Sequence, residues 1–136
     1  MTDIVLINPN NRTPSPFAGV EPPLWLGLIA GYHLSLGHGV RIVDAEAEGL
    51  TIKQTINRVA SYGPKETLIV VMGNNPSVSS TPKMLVAEEL LKHLGPNTFL
   101  TGLHPTAVNH PKAIPKPFEG FPCVPWGLLP MEKYRA

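Results

Sequence analysis

The chain is poor in cysteine and has no long apolar run. Cys123 is the single cysteine among 136 residues. One cysteine excludes an internal disulfide, and it cannot build an iron–sulfur or zinc site within this chain. No apolar run is long enough to span a bilayer, and the amino terminus lacks the basic flank and apolar region of a signal peptide. We therefore expect a soluble, cytoplasmic protein without a membrane span.

Several familiar functional motifs are also missing. The sequence contains no G-x-G-x-x-G fingerprint, no P-loop and no G-x-S-x-G elbow. The formal net charge of +1 gives no reason to expect a nucleic-acid partner. His104 and His110 lie six residues apart, which matches no common spacing of metal ligands. No metal site and no catalytic residue are predicted, and the acidic pair Asp44 and Glu46 is interpreted as part of a solvated loop.

What the chain does contain is a regular alternation of strand and helix signals. The predicted strands cover residues 4–8, 40–43, 68–72 and 98–101. The predicted helices begin at Pro22-Pro23, at Thr51 and near Thr81, and they stop at Gly37, Gly63 and Gly95. Thr51 and Gln54 have the spacing of a capping box. The stripe of the first helix that we expect to face the sheet is Leu24, Leu28, Ile29, Tyr32 and Leu36. His33 and His93 are expected on exposed helix surfaces.

This alternation predicts an α/β fold. Continuous apolar strands between helical stripes indicate an open parallel sheet with helices on both faces. Right-handed crossovers make it flavodoxin-like, with strand order 2-1-3-4. The 16 prolines cluster in the first loop and in the tail after His104, so both regions are expected to be irregular. The predicted domain is 1–110, and 111–136 is a Pro-rich tail or linker expected to be extended.

The loops that follow the four strands have a shared composition. They are rich in amides, hydroxyls and small residues and poor in charge. All four lie at the carboxyl edge of the predicted sheet, which is where open α/β sheets bind ligands. Such loops suit a large neutral ligand that carries many amide groups. The alternative is that Asn, Ser and Gly are there because they form turns, and composition alone favours that explanation.

A family resemblance adds to this interpretation. It rests on Ile-Asn-Pro at 7–9, Pro-Pro-Leu-x-Leu-Gly-Leu-Ile-Ala-Gly-Tyr at 22–32, and the segment 37–50 from Gly-His to Glu-Gly-Leu. Further on, Gly-Leu-His-Pro-Thr-Ala at 102–107 and the tail 125–135 continue the match. Together these segments resemble the amino-terminal cobalamin (B12)-binding domain of cobalamin-dependent, class B radical SAM enzymes.

The resemblance implies a cofactor and a site. The cofactor would be base-off cobalamin with no protein histidine on cobalt, because the D-x-H-x-x-G motif is absent. His104 could be taken for a cobalt ligand, but a histidine before proline at a strand end is more often a hydrogen-bonded turn residue. The residues expected to bind the cofactor are Asn8, Pro9, Asp44, Gly73, Asn74, Ser79, Thr81, Gly102, His104 and Thr106.

The chain also departs from the family pattern. The family usually continues after the His-Pro-Thr segment with a further helix and a fifth strand, whereas here 109–111 run into the Pro-rich tail, so the resemblance implies that the fifth strand is missing. The C-x-x-x-C-x-x-C cluster motif is absent, so this chain cannot hold the [4Fe-4S] cluster or cleave S-adenosylmethionine. Both would belong to a radical SAM barrel domain, in cis or in trans. The function expected from the resemblance is that of a cobalamin-binding domain, or fragment, of a methyltransferase or cyclase, positioning the corrinoid for methyl transfer. The alternative is a non-catalytic α/β interaction domain that no longer binds the cofactor.

Overall fold

The computed structural model of the chain describes residues 2–10, 24–71 and 80–101. Strands and helices alternate along these segments. In chain order they are β1 (Ile4–Asn8), α1 (Leu24–Ser35), β2 (Val40–Asp44), α2 (Ala45–Glu48), α3 (Ile52–Tyr62), β3 (Glu66–Val70), α4 (Ser80–Leu94) and β4 (Thr98–Thr101). No helix in these segments is long and apolar enough to cross a membrane.

The strands form one parallel sheet with the order β2-β1-β3-β4. Ile4 pairs with Val40 of β2 on one side and with Glu66 of β3 on the other, which makes β1 central. The predicted flavodoxin-like α/β fold and its strand order are confirmed. A fifth strand would lie after Thr101, outside the described residues, as does the predicted tail 111–136.

Side chains alternate between the two faces of the sheet along each strand, and both faces are buried. Leu6 and Leu68 face α1, where they pack with Ile29. Val5, Ile7 and Ile69 face α3 and α4. Burying each large aliphatic side chain stabilises the fold by about 1.5–3 kcal/mol. The two cores therefore hold the strand ends in fixed positions.

The buried stripe of α1 differs from the predicted one. Leu26, Ile29, Ala30 and His33 are buried, whereas Leu36 is 55% exposed and lies beyond the end of the helix. The buried residues follow the i, i+3, i+4, i+7 spacing of one helix face. His33 occupies the last position of that face, so the prediction that it is exposed is wrong. His93 is exposed, as expected.

The capping box of α3 is formed as predicted. Thr51 Oγ1 accepts a hydrogen bond from Gln54 N at 3.1 Å, and Gln54 Oε1 accepts one from Thr51 N at 2.9 Å. Gly63, with φ 57°, ends the helix in the left-handed conformation that the predicted glycine stop requires. Local sequence signals thus fix both ends of the helix that follows the second carboxyl-edge loop.

We expect Thr51→Ala to lower the free energy of unfolding by about 1 kcal/mol, because an N-cap acceptor is lost. Thr51→Ser is the matched control, since it keeps the acceptor oxygen and should stay within a few tenths of the parent. Urea unfolding measures both variants. Equal losses in the two variants would show that the cap does not stabilise α3.

Asp3 fixes the opposite, amino-terminal edge of the sheet. Its Oδ2 accepts a hydrogen bond from Gly39 N at 2.7 Å, and its Oδ1 lies 3.3 Å from Lys65 Nζ. Its backbone oxygen accepts from the amides of Lys65 and Glu66, each at 3.0 Å. The hydrogen bond from Gly39, followed by the contact with Lys65, lowers the pKa of Asp3 below its ordinary value of 3.8.

A lowered pKa in the folded state makes the Asp3 contribution depend on pH. The stabilisation is complete above 3.8 and is lost as the pH falls below 3.8 through the folded pKa. The stability difference between the parent and Asp3→Asn should therefore shrink on acidification, as measured by urea unfolding from about pH 7 to about pH 3. Lys65→Met should retain part of this pH dependence, because Gly39 remains. A difference that stays constant with pH would contradict the assignment.

Candidate functional site

The carboxyl ends of β1 and β2 are joined by a buried polar contact. Asn8 and Asp44 are register partners at the last positions of the two strands. Asn8 Nδ2 donates a hydrogen bond to Asp44 Oδ1 at 2.9 Å. Asn8 is 5% exposed and Asp44 is fully buried. The two side chains therefore meet inside the carboxyl edge of the sheet.

Asp44 also begins the next helix. Its Oδ1 accepts a hydrogen bond from Ala47 N at 3.1 Å, so Asp44 is the N-cap of α2. A buried carboxylate is costly unless it is hydrogen-bonded, and the amides of a first helical turn compensate part of that cost. The interpretation of Asp44 as part of a solvated loop is wrong, because one oxygen of a buried carboxylate ties together β1, β2 and α2.

A second contact links the loops further out. Asn10 Nδ2 donates a hydrogen bond to the backbone oxygen of Leu50 at 3.2 Å. Leu50 lies between α2 and α3, so the beginning of the first loop is bonded to the end of the second. Asn10 is absent from the predicted cofactor residues. The signal that could have indicated it is a second amide two residues beyond Asn8, on the same loop.

The other two strands end at the same edge. Val71 N donates a hydrogen bond to the backbone oxygen of Thr101 at 2.9 Å, which extends the pairing of β3 and β4 by one step. Thr101 is fully buried. The ends of β3 and β4 are therefore held side by side, in the same sheet as the ends of β1 and β2 that Asn8 and Asp44 join.

The structure places four of the ten predicted cofactor residues. Asn8, Pro9 and Asp44 are buried at the shared carboxyl edge. Thr81 is the second residue of α4, the helix that follows β3, one residue after the observed helix start. The other six lie outside the described residues, and they are Gly73, Asn74, Ser79, Gly102, His104 and Thr106. Contact of these ten residues with a cofactor stays a prediction.

The described edge consists of strand ends that are hydrogen-bonded to one another. The side-chain amide of Asn8 and the backbone amide of Ala47 both donate to the Asp44 carboxylate, which lies beneath the surface. Within residues 2–10, 24–71 and 80–101, no group of three or more His, Cys, Asp or Glu side chains could hold a metal ion. Hydrogen bonds therefore fix the ends of β1 and β2 relative to each other and to α2.

A separate groove lies away from this edge. It has a volume of about 270 Å³ and runs between α3 and α4 toward the amino-terminal edge, where Ile56, Val59, Lys65 and His93 are among its walls. None of the predicted cofactor residues lines it. We place the candidate site at the carboxyl edge, because the polar strand ends converge there.

The sequence is similar to part of a known protein. The chain is 31% identical over 111 residues to the anaerobic magnesium-protoporphyrin IX monomethyl ester cyclase of Synechocystis sp.. The chain is similar to part of a cyclase. The match covers 76% of this chain and 21% of the cyclase, so the chain spans about a fifth of that relative's length. No protein-family model and no solved structure matches the chain.

We expect Asp44→Ala to lower the free energy of unfolding by about 2–3 kcal/mol. The variant loses the cap of α2 and leaves the buried amide of Asn8 without the Asp44 oxygen. Asp44→Asn is the matched control, since it keeps a side-chain oxygen and the preferred cap chemistry, and it should lose clearly less. Urea unfolding measures both, and an Asp44→Ala variant as stable as the parent would contradict the role assigned to this contact.

Proposed function

We propose that this chain is a cobalamin-binding domain, or fragment, of a B12-dependent radical SAM methyltransferase or cyclase, and that it positions the corrinoid for methyl transfer. The observation that carries the proposal is the bond between Asn8 and Asp44. Asn8 belongs to the Ile-Asn-Pro segment of the resemblance, and Asp44 belongs to the separate segment 37–50. The two segments meet side by side at the ligand-binding edge of a parallel sheet.

The similarity to the Synechocystis protein supports the same assignment. That protein is named a cyclase, which is one of the two reaction classes that the resemblance implies. The match covers 21% of the cyclase. A protein of that length has room for a separate catalytic domain. The S-adenosylmethionine and the [4Fe-4S] cluster would belong to such a radical SAM barrel, joined to this chain in cis or acting in trans.

The described residues fit a large cofactor of low net charge. Asn8, Pro9 and Asp44 would form the rigid base of the site, because their positions are fixed by the sheet and by the cap of α2. Asp44 would act by holding the two loops rather than by contact with the corrin, since its side chain is buried and bonded to Asn8 and Ala47.

The remaining predicted residues would complete the site above this base. Gly73 and Gly102 would allow the backbone to approach the ligand closely, and Asn74, Ser79, Thr81, His104 and Thr106 would hydrogen-bond its amides. When bound, cobalamin supplies the methyl group, and the protein supplies orientation and shielding. We propose base-off binding without a histidine on cobalt.

The alternative is an α/β interaction domain that no longer binds the cofactor. The bond between Asn8 and Asp44 also supports this alternative, because both polar side chains already have a hydrogen-bond partner within the protein. The two functions differ in one measurable property, which is the retention of a corrinoid by the purified chain.

The deciding experiment mixes the purified chain with hydroxocobalamin and records the visible spectrum of the protein peak after gel filtration. The proposal expects corrinoid absorbance to elute with the protein. Gly73→Val, Gly102→Val and Ser79→Leu should each weaken binding at least about tenfold, which corresponds to about 1.4 kcal/mol, with unfolding curves like that of the parent.

Ser61→Leu is the matched control for Ser79→Leu. Ser61 is exposed near the end of α3, at the edge of the sheet opposite the site. This control should bind hydroxocobalamin as the parent does. A colourless parent peak would overturn the proposal in favour of the interaction domain, and three site variants that bind like the parent would overturn the site.

A further inference from the structure

Two histidines lie against each other at the amino-terminal edge of the sheet. His33 is in the last turn of α1, and His38 follows it two residues before β2. Their Nδ1 atoms are 3.2 Å apart, and their rings are stacked with centroids 5.4 Å apart. The backbone closes tightly between them, since His38 N donates a hydrogen bond to the backbone oxygen of His33 at 3.1 Å.

We propose that His33 and His38 form a binding site for a divalent transition-metal ion such as Zn²⁺, with one Nδ1 ligand from each ring. Zinc takes imidazole nitrogens at about 2.0–2.1 Å in tetrahedral geometry, which places two such nitrogens about 3.3 Å apart. The observed separation is 3.2 Å. Four residues separate the two histidines, which lies within the spacing found for paired zinc histidines.

The pair is pre-organised for this role. His33 is 5% exposed and is held on the buried face of α1, with the Tyr32 ring edge-on to it at 5.4 Å. His38 is partly exposed, so an ion has a path to the site and water can complete its coordination. Gly37, with φ 85°, provides the left-handed turn that folds His38 back onto His33.

The charges around the pair come from the neighbouring strand ends. The Asp3 carboxylate accepts the amide hydrogen of Gly39, the residue after His38. This anion favours a bound cation, whereas Lys65, which pairs with Asp3, opposes it. An ion bound here would replace the hydrogen bond between the two Nδ1 atoms, since an imidazole nitrogen must be unprotonated to ligate a metal.

The site is distinct from the proposed cobalamin site. β2 runs from the histidine pair to Asp44, and its five residues span about 16 Å. An ion at this place would fasten the end of α1 to the start of β2. The ions expected to bind are those that accept imidazole ligands, namely Zn²⁺, Cu²⁺ and Ni²⁺. Mg²⁺ is not expected to bind.

The test is a calorimetric titration of the metal-free full chain with Zn²⁺ alone, together with ¹⁵N spectra of the histidine side chains. We expect zinc to shift the Nδ1 resonances of His33 and His38. His38→Gln should weaken zinc binding at least about tenfold, because the variant lacks one of the two proposed ligands. His93→Gln, which removes an exposed histidine from α4, should bind as the parent does.

His38→Gln is the principal variant because His33 is buried and its replacement would disturb the core. Three results would overturn the proposal. They are a parent that binds no zinc, a His38→Gln variant with parental affinity, and zinc-induced shifts confined to histidines other than His33 and His38. A parent that binds no zinc would mean that the two rings form a hydrogen bond only.

Discussion

The hydrogen bond from Asn8 to Asp44 is the contact on which the carboxyl edge of the sheet depends. A carboxylate without access to water is strongly unfavourable unless donors surround it. Asn8 supplies one donor from β1, and the first turn of α2 supplies another through Ala47. The contact therefore couples the end of β1 to the end of β2 and to the start of α2.

The centre of the sheet provides the frame in which this contact is possible. β1 pairs in parallel with β2, and this register places residue 8 directly beside residue 44. β1 also pairs in parallel with β3, which holds it in the centre of the sheet. At the other end of the same strand, Asp3 accepts the amide of Gly39 and fixes the start of β2. Polar contacts thus set the register of β1 and β2 at both ends, while the apolar cores supply most of the stabilisation.

Features governed by local sequence were predictable. The strand order follows from four apolar runs joined by helical crossovers. The capping box at Thr51 and the glycines that end the helices follow from residues close together in the sequence. The carboxyl edge as the meeting place of Asn8 and Asp44 also follows from topology. Their mutual bond does not, because it requires the register between strands 36 residues apart in the sequence.

Two local predictions are wrong for different physical reasons. The loop predicted around Asp44 and Glu46 is the short helix α2, and the sequence contains its signal, since Asp44 is a good N-cap and the following Ala-Glu-Ala-Glu are good helix formers. The face of α1 that the sequence pattern favours includes Leu28, Tyr32 and Leu36, whereas Leu26, Ala30 and His33 are the buried residues. Several apolar residues around that helix made more than one stripe possible, and only packing against Leu6 and Leu68 decided between them.

The two edges of the sheet differ in the charge that they present. At the carboxyl edge, the charge of Asp44 lies beneath the surface and is bonded to Asn8 and Ala47, so the support for a ligand is of low charge. At the amino-terminal edge, the paired imidazoles of His33 and His38 lie beside a strand start that the partly exposed Asp3 carboxylate fixes through Gly39. A charge that hydrogen bonds already compensate attracts a further ion weakly, whereas imidazole nitrogens are ligands that transition-metal ions accept. The proposed corrinoid therefore fits the first edge, and the proposed metal ion fits the second.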